Sequence, residues 1–267
     1  MDENKLQEAL SDLPLGGVRF FNRTGSTNDI AMTWASADAA DLSLVYAEEQ
    51  TAGRGRGTHT WFTPPNAALA FSLVLRPLQG HQKSIPLFSA LGAVAVSEVL
   101  SSLGLHPEIK WPNDVLLSRR KVCGVLAEST WIGDKVDTIV LGIGVNIKPE
   151  SVPPADRLNF PATCLEAEAL LQDSQYISGT FDRLVLLRKT LQAILHWRGL
   201  LETDIFIHMW ESLLAFRGEQ VEIRQEGQEV SRGQLDGLER DGSLRLYAPQ
   251  GDVFTIQFGE VHLRPVV

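Results

Sequence analysis

The segment "PEIKWPNDVLLSRRKVCGVLAEST", residues 107–130, has the pattern of several short strands separated by turns. It indicates a strand, a turn fixed by Pro112, and then a hairpin whose second arm runs from Lys121 to Thr130. A short turn, "WIGDK", leads into one more strand, "VDTIVLGIGVNI", residues 136–147, which ends in glycines. Strands joined by short turns pair in antiparallel fashion, so this half of the chain predicts an antiparallel sheet.

The flanking sequence adds further strands and several helices. Upstream, a short strand precedes a helix that starts near Ser26, and residues 42–50 and 67–77 have the composition of buried strands. Apolar residues recur at helical spacing from Ser84 to Gly104 and from Thr180 to Trp210. We therefore predict an α+β fold with a mixed, largely antiparallel sheet packed against helices.

The C-terminal part of the chain has a different pattern. From Arg217 onward, short runs such as "QVEIRQ" and "LRLYAP" alternate with turn signals such as "RDGS". About five short strands in this stretch are typical of a small barrel. We predict two domains, a main domain at residues 1–215 and a small C-terminal SH3-like β-barrel at residues 216–267.

The composition is that of an ordinary folded protein with an acidic balance. Hydrophobic residues make up 44% and charged residues 21% of the 267 positions, and the formal net charge is -9. That charge opposes non-specific binding to nucleic acid and to anionic membranes. Cys123 and Cys164 form no disulfide framework, no apolar run is long enough to span a membrane, and the histidines lack zinc-binding spacing. We predict a cytoplasmic protein with no nucleic-acid or membrane partner and no metal-binding residues of its own.

The stretch "EEQTAGRGRGTHTW", residues 48–61, combines a pliable backbone with two fixed positive charges. Glycines let backbone N–H groups surround an anion, and arginine offers a planar, permanently charged donor fork. The stretch matches neither a Walker phosphate loop nor a GxGxxG motif that opens a helix. It indicates an anion clamp, with a solvated turn or an Arg/Gly nucleic-acid segment as the alternatives.

Three further segments could carry chemistry. "KWPNDVLL" places Lys110 beside a proline turn, and the hairpin that follows could bring Lys110 and Lys121 to one pocket. An ordinary turn and a solvated strand-edge lysine are the plainer alternatives. In "GIGVNI", residues 142–147, missing side chains would let a ligand lie against the backbone, although a tight sheet crossing is equally consistent. "GSTND", residues 25–29, supplies residues that commonly cap a helix, which is compatible with ligand binding.

Taken together and in this order, the four segments resemble the signature blocks of the biotin protein ligases, also called biotin–[acetyl-CoA-carboxylase] ligases. The resemblance covers roughly residues 18–150. It implies activation of biotin by ATP, with Mg²⁺, to biotinyl-5′-AMP, followed by transfer to a lysine of a biotin carboxyl carrier protein domain. It also implies a biotin/lipoate ligase-like catalytic domain in a protein that is a monomer or a homodimer.

The resemblance assigns roles to individual residues. The catalytic group consists of Lys121, Arg54 and Lys110, with Lys121 touching both the biotin carboxylate and the α-phosphate. The biotin-binding residues are Ser26, Thr27, Asn28, Gln50, Gly53, Arg54, Arg56, Lys121, Gly124 and Gly142. The ATP-binding residues are Arg54, Gly55, Arg56, Gly57, Trp61, Lys110, Asn113, Asp114 and Asn146. Within this last set, Trp61 is expected to cover the adenine.

Two features set this chain apart from some members of that family. Gly57 stands where a third loop arginine could be, which predicts a looser loop and easier leakage of the intermediate. Fewer than 20 residues precede the first predicted strand, which predicts a ligase-only form without a helix-turn-helix domain. Two alternatives to the biotin ligase remain, namely a lipoate ligase or octanoyltransferase, and a non-catalytic biotin sensor.

Overall fold

The computed structural model describes residues 2–76, 85–172, 181–225, 230–257 and 261–265. Its helices are α1 Glu3–Leu10, α2 Thr27–Ser36, α3 Ile85–Ser102, α4 Leu165–Gln172, α5 Arg183–Arg198 and α6 Asp204–Ser212. Its strands are β1 Gly17–Phe21, β2 Ser43–Ala47, β3 Ala68–Leu75, β4 Pro107–Lys110, β5 Asp114–Leu117, β6 Arg120–Ile132, β7 Lys135–Asn146, β8 Gln220–Gln225, β9 Ser231–Leu238, β10 Leu244–Tyr247, β11 Val253–Ile256 and β12 Val261–Pro265. Two predicted helices were expected to begin at Ser84 and at Thr180, and both positions lie outside the described residues. The same holds for residues 1 and 267, the outer bounds of the two predicted domains.

The main sheet has seven strands in the order β1-β2-β3-β7-β6-β5-β4. Strands β1 and β2 pair in parallel, and all the other neighbours pair antiparallel. The prediction of an α+β fold with a mixed, largely antiparallel sheet is confirmed. The predicted hairpin is also present, because β5 and β6 pair through a tight turn in which Ser118 and Arg119 both have positive φ.

Side chains alternate between the two faces of this sheet. On β7, Ile139 and Leu141 belong to the large core that contains α3 and α5, whereas Val140 packs in a small cluster with Ala31 and Ala35 of α2. Strands have a side-chain period of two residues, so Gly142 and Gly144 share the face of Val140. Gly142 and Gly144 therefore lie on the sheet face that packs against α2, and they leave the space that their own side chains would fill to other groups.

Two helices, α1 and α4, were not predicted from the sequence. The polar stretch at the N-terminus forms α1, with Asp2 accepting a hydrogen bond from the backbone N–H of Lys5. Leu6 and Leu10, four residues apart on one helix face, are both buried. Two apolar residues in an otherwise polar and acidic stretch were too few to indicate an amphipathic helix from the sequence.

The C-terminal strands form a second sheet in the order β11-β10-β9-β8-β12, with every neighbouring pair antiparallel. The sheet fits an SH3-like domain, but the described strands do not close into the predicted barrel. Trp111 Nε1 donates to the carbonyl oxygen of Gly242 at 3.0 Å, which joins the main domain to this sheet. The boundary between residues 215 and 216 remains a prediction.

No helix within the described ranges is both long and apolar enough to cross a lipid bilayer.

Candidate functional site

A cavity of about 980 Å³ opens on the sheet face that carries α2. Its walls come from the start of α2, the glycine-rich loop, the β4–β5–β6 region, β7 and the connector after β7. The predicted site residues that line it are Ser26, Thr27, Asn28, Gln50, Arg54, Gly55, Arg56, Gly57, Trp61, Lys110, Asn113, Asp114, Lys121, Gly124, Gly142 and Asn146. The structure therefore brings nearly the whole predicted set to one cavity.

Gly53 is the predicted site residue that does not line the cavity. It lies at the base of the glycine-rich loop, where its carbonyl oxygen accepts a hydrogen bond from the backbone N–H of Trp61 at 2.8 Å. A Cβ at Gly53 would stand 2.4 Å from the Trp61 carbonyl oxygen. Gly53 thus pairs the two ends of the glycine-rich loop, where a side chain would not fit. Its contact with biotin stays a prediction.

The glycine-rich loop, residues 53–61, is folded as a small hairpin. Besides the Trp61–Gly53 pair, the N–H of Gly55 donates to the carbonyl oxygen of His59 at 2.8 Å. Gly57 has φ +57°, a conformation that a side chain rarely adopts. The residue that departs from the expected arginine therefore makes the turn at the loop tip.

The two loop arginines point to different partners. Arg54 donates through Nη1 to Asp29 and through Nη2 to Glu128. Arg56 instead acts on Asp114, where its charge helps to lower the pKa of that carboxyl. Asp29 and Glu128 were missed by the residue-level predictions, although both lie within the quoted segments. Glu128 lies two strand periods beyond Gly124 on β6, which was the available signal.

Lys110 and Lys121 meet at one carboxylate, as the hairpin prediction suggested. Lys121 Nζ lies 2.6 Å from Asp114 Oδ1, and Lys110 Nζ lies 3.8 Å from Asp114 Oδ2. Burial acts to raise the pKa of Asp114, but the charges of Lys121, Lys110 and Arg56 outweigh it and hold this pKa below its usual range. Three cations around one carboxylate leave this end of the cavity with a net positive charge.

The opposite end of the cavity is polar and neutral. Gln50 Oε1 accepts hydrogen bonds from the Thr27 backbone N–H at 2.8 Å and from Thr27 Oγ1 at 3.1 Å. Gln50 Nε2 donates to Thr63 Oγ1 at 2.9 Å. Ser26 is the N-cap residue of α2 as predicted, but its side chain makes no capping hydrogen bond. Buried donors and acceptors at this end suit a ligand group that both donates and accepts.

The sheet glycines make room for the protein's own side chains. A Cβ at Gly142 would stand 2.1 Å from Asn28 Oδ1, and one at Gly144 would stand 2.2 Å from Trp61 Nε1. The Trp61 indole also lies over Gly124, and its Nε1 is buried without a hydrogen-bond partner in the part of the chain that the structure describes. Asn28 and Trp61 therefore lie against these glycines, and the expectation that a ligand contacts the same backbone stays a prediction.

The two predicted site asparagines are anchored to the backbone. Asn113 Nδ2 donates to the carbonyl oxygen of Val125, and Asn146 Nδ2 donates to that of Thr163 at 3.0 Å. These bonds fix the strand ends that border the cationic part of the cavity. Their contacts with a nucleotide stay a prediction.

The connector after β7, residues 149–161, lines the cavity, which was not predicted from the sequence. The Phe160 ring lies 4.8 Å from Lys110 Nζ, and Asn159 Nδ2 lies 3.1 Å from His59 Nε2 on the glycine-rich loop. The backbone of Pro161 accepts from the N–H of Lys121 at 2.8 Å. The sequence of residues 149–161 predicts only a polar, proline-rich connection, because the contacts that place it at the cavity are made with distant residues.

No group of three or more His, Cys, Asp or Glu side chains that could hold a metal ion occurs among the residues described. Asp114, the acidic residue closest to the lysines, is already engaged by them. The donor set of the cavity therefore fits a metal that arrives on a ligand rather than one held by the protein alone.

Comparisons with known proteins agree with this geometry. A sequence model of the Biotin/lipoate A/B protein ligase family matches residues 20–146. The biotin–[acetyl-CoA-carboxylase] ligase of Paracoccus denitrificans is 33% identical over 245 residues, which cover 86% of this chain and 93% of that protein. The bifunctional ligase/repressor BirA of Bacillus spizizenii is 38% identical over 141 residues, covering 52% of this chain but only 43% of that protein.

A solved structure is similar over almost the whole chain. The biotin protein ligase from Aquifex aeolicus, in complex with biotin and ATP, superposes with a TM-score of 0.75 at 26% sequence identity. The match covers 94% of this chain and 99% of that one. With the Paracoccus relative matched along nearly its full length, the chain belongs to the biotin protein ligases of the biotin/lipoate A/B protein ligase family.

Proposed function

We propose that this protein activates biotin with ATP and transfers the biotinyl group to a lysine of a biotin carboxyl carrier protein domain. The observation that carries the proposal is the two-ended cavity, in which a neutral polar end faces a cluster of Lys110, Lys121, Arg56 and Asp114. The names of the relatives and the biotin and ATP in the Aquifex aeolicus structure support it.

The polar end suits the ureido ring of biotin. That ring has one carbonyl acceptor and two N–H donors, so a site must offer both kinds of partner. The buried residues Ser26 and Thr27 and the half-buried Gln50 supply hydroxyl, backbone and amide groups within one corner of the cavity. We assign Asn28 and Gly142 to the same side of the ligand, and Gly124, which lies beside Lys121, to the part of biotin nearer its carboxylate.

The cationic end suits the first chemical step. A biotin carboxylate oxygen attacks the α-phosphorus of ATP, a P–O bond forms, and the bond to the departing pyrophosphate breaks. Because both reactants are anions, positive groups must neutralise their repulsion and hold them in line. Lys121, Lys110 and Arg56 supply these charges, and Asp114 holds both lysines in the cavity.

In the second step the neutral amine of the acceptor lysine attacks the biotinyl carbonyl carbon. An amide bond forms, AMP leaves with the electrons of the former anhydride bond, and one proton is released. The cations that faced the α-phosphate remain placed to stabilise the leaving AMP. Trp61 offers an aromatic face to the adenine, and Asn113, Asn146, Gly55 and Gly57 border the nucleotide side.

Mg²⁺ enters this proposal as part of the ATP substrate, since the described residues offer no acidic cluster for it. In such a complex it would neutralise phosphate charge during attack. We also infer a cytoplasmic location, because carrier domains and ATP meet there.

The test measures pyrophosphate release with ATP and Mg²⁺ in the presence of biotin, of lipoate or of neither acid. Biotin alone should stimulate release, and a purified biotin carboxyl carrier domain added afterwards should gain the mass of one biotinyl group. A carrier domain with arginine at its acceptor lysine should gain none. Stimulation by lipoate would favour the lipoate ligase alternative, and no release with either acid would favour a non-catalytic sensor.

A further inference from the structure

Arg54 is held from two sides by carboxylates that the proposed chemistry does not use. One guanidinium nitrogen donates to Asp29 in the first turn of α2, and the other donates to Glu128 on β6. Arg54 itself belongs to the glycine-rich loop, so these two ion pairs connect the loop to α2 and to β6. Both terminal guanidinium nitrogens, Nη1 and Nη2, are thereby engaged by the protein.

Glu128 is fixed by a buried polar chain. Its Oε2 accepts a hydrogen bond from Asn28 Nδ2 at 2.9 Å, and Asn28 Oδ1 lies 2.5 Å from Ser72 Oγ. Ser72 Oγ also lies 2.8 Å from Thr27 Oγ1, which is bonded to Gln50. The chain thus links the polar end of the cavity to the carboxylate that holds Arg54.

The two carboxylates are not equivalent. The Asp29 side chain is 53% exposed, whereas that of Glu128 is 23% exposed. Water and salt screen exposed ion pairs, and such pairs often contribute little. A partly buried carboxylate with a second, protein-supplied hydrogen bond is a stronger and better oriented partner. Glu128 is therefore expected to carry most of the interaction.

We propose that Glu128, assisted by Asp29, is a positioning residue that latches the glycine-rich loop closed over the cavity through Arg54. The latch holds residues 53–61 against α2 and β6. As a consequence that rests on the proposed function, it also slows the escape of the acyl adenylate before the acceptor lysine reaches it.

A competing arrangement makes the opposite prediction. In this alternative, Asp29 and Glu128 bind Arg54 only until biotin is present, and the biotin carboxylate then replaces them as the partner of the guanidinium. Removal of the two protein carboxylates would then leave Arg54 available to biotin. Biotin would then bind more tightly, and the loop would have no closed state to lose. The direction of the change in biotin affinity therefore separates the two arrangements.

The first experiment needs no biotin and is independent of the proposed reaction. Hydrogen–deuterium exchange of the peptide that covers the glycine-rich loop is measured for the wild type, Glu128→Gln, Asp29→Asn and the control Asp134→Asn. Asp134 is exposed in the turn between β6 and β7, so its substitution removes the same charge away from the latch. We expect loop exchange about 5-fold faster in Glu128→Gln, a smaller increase in Asp29→Asn and no change in the control.

Equal exchange in the wild type and in both latch variants overturns the proposal. Asp29→Asn lies on an exposed helical turn, so it still tests the latch if Glu128→Gln folds poorly. Raised salt should accelerate loop exchange in the wild type but much less in an Asp29→Asn/Glu128→Gln double variant, because screening acts on the ion pairs. A salt response that is the same in both proteins also counts against the latch.

The second experiment follows the intermediate. The protein is loaded with biotin and ATP, freed of small molecules, and assayed for release of biotinyl-5′-AMP and for biotinylation of bystander lysines. Glu128→Gln should raise the release rate about 5-fold, and combining it with Arg54→Gln should add little, because both substitutions break one interaction. Additive effects, or a lower KM for biotin with unchanged release, overturn the latch. If the wild type forms no adenylate, the proposed function fails and the exchange result alone decides the latch.

Discussion

Lys121 Nζ lies 2.6 Å from Asp114 Oδ1, although the two residues belong to different strands of the sheet. The tight turn between β5 and β6 folds Lys121 back onto Asp114, and the end of β4 brings Lys110 to the same carboxylate. An ion pair at this place keeps a lysine in the cavity while leaving the surrounding charge positive.

Substitution of Lys121 is expected to abolish most of the activation step. Lys121→Ala should lower biotin-dependent pyrophosphate release by about 100-fold or more, because a preorganised cation at the reacting charge is lost. Lys121→Arg should recover only part of the rate, since a guanidinium differs in shape and hydration from an ammonium. Lys135→Ala, at the exposed start of β7, is the matched control and should keep the wild-type rate.

The Asp114 carboxylate predicts a specific acid dependence of stability. Lys121, Lys110 and Arg56 lower the pKa of Asp114 in the folded protein despite its burial. A lowered folded pKa gives stability that is present above the unfolded pKa of about 3.9 and is lost as pH falls through the folded value. The difference in unfolding free energy between the wild type and Asp114→Asn should therefore shrink from pH 5 to pH 2. Urea unfolding at a series of pH values measures it, and a constant difference would exclude this coupling.

Gly144→Ala should displace the Trp61 indole. A Cβ at this position would stand 2.2 Å from Trp61 Nε1, so the ring must leave the sheet floor or the strand must move. Overpacking of this kind costs about 1–3 kcal/mol. Gly199→Ala, whose Cβ would meet its nearest atom at 3.5 Å, is the control. The fluorescence difference between each variant and its Trp61→Phe derivative reports the indole environment, and an unchanged Trp61 signal in Gly144→Ala would contradict the packing.

The sequence was a good guide wherever the contacts are local. The β5–β6 hairpin follows from turn chemistry and strand composition within a few residues, and the meeting of Lys110 with Lys121 follows from that hairpin. Gly104 likewise ends α3 with a positive φ, as its position after the last apolar residue predicted. Interactions between residues that are close in the sequence determine these features, so a single sequence is sufficient to predict them.

Features that depend on long-range docking were not predictable. The Arg54–Glu128 pair joins residues 74 positions apart and forms only because α2, the loop and β6 meet at one place. The position of Phe160 over Lys110 depends on the path of a connector without regular periodicity. In the sequence, Phe160 looks like an ordinary apolar residue. The strand period puts Glu128 on the same strand face as Gly124, but it does not identify Arg54 as its partner.

Trp111 is expected to stabilise the contact between the main domain and the C-terminal sheet. Its indole is buried, and its Nε1 donates to the Gly242 carbonyl oxygen at 3.0 Å. Trp111→Phe leaves that carbonyl without this donor, which should cost about 1–3 kcal/mol of unfolding free energy. Trp131→Phe, on an exposed tryptophan, should cost much less. Chemical denaturation of the two variants is the measurement, and equal losses would show that the Gly242 bond contributes nothing specific.

Thr27→Val should weaken biotin binding without a comparable loss of chemistry. The Thr27 hydroxyl is bonded to Gln50 Oε1 and lies 2.8 Å from Ser72 Oγ, at the end of the cavity away from the lysines. Removing one buried hydrogen-bonding group costs about 1–2 kcal/mol, so KM for biotin should rise about 5- to 30-fold while kcat changes little. Thr33→Val is the matched control, because the Thr33 hydroxyl donates to the Asp29 carbonyl oxygen within α2 and is exposed. Steady-state pyrophosphate release against biotin concentration separates the two constants. A fall in kcat at unchanged KM would place Thr27 with the reacting groups and would reverse the assignment of the two ends of the cavity.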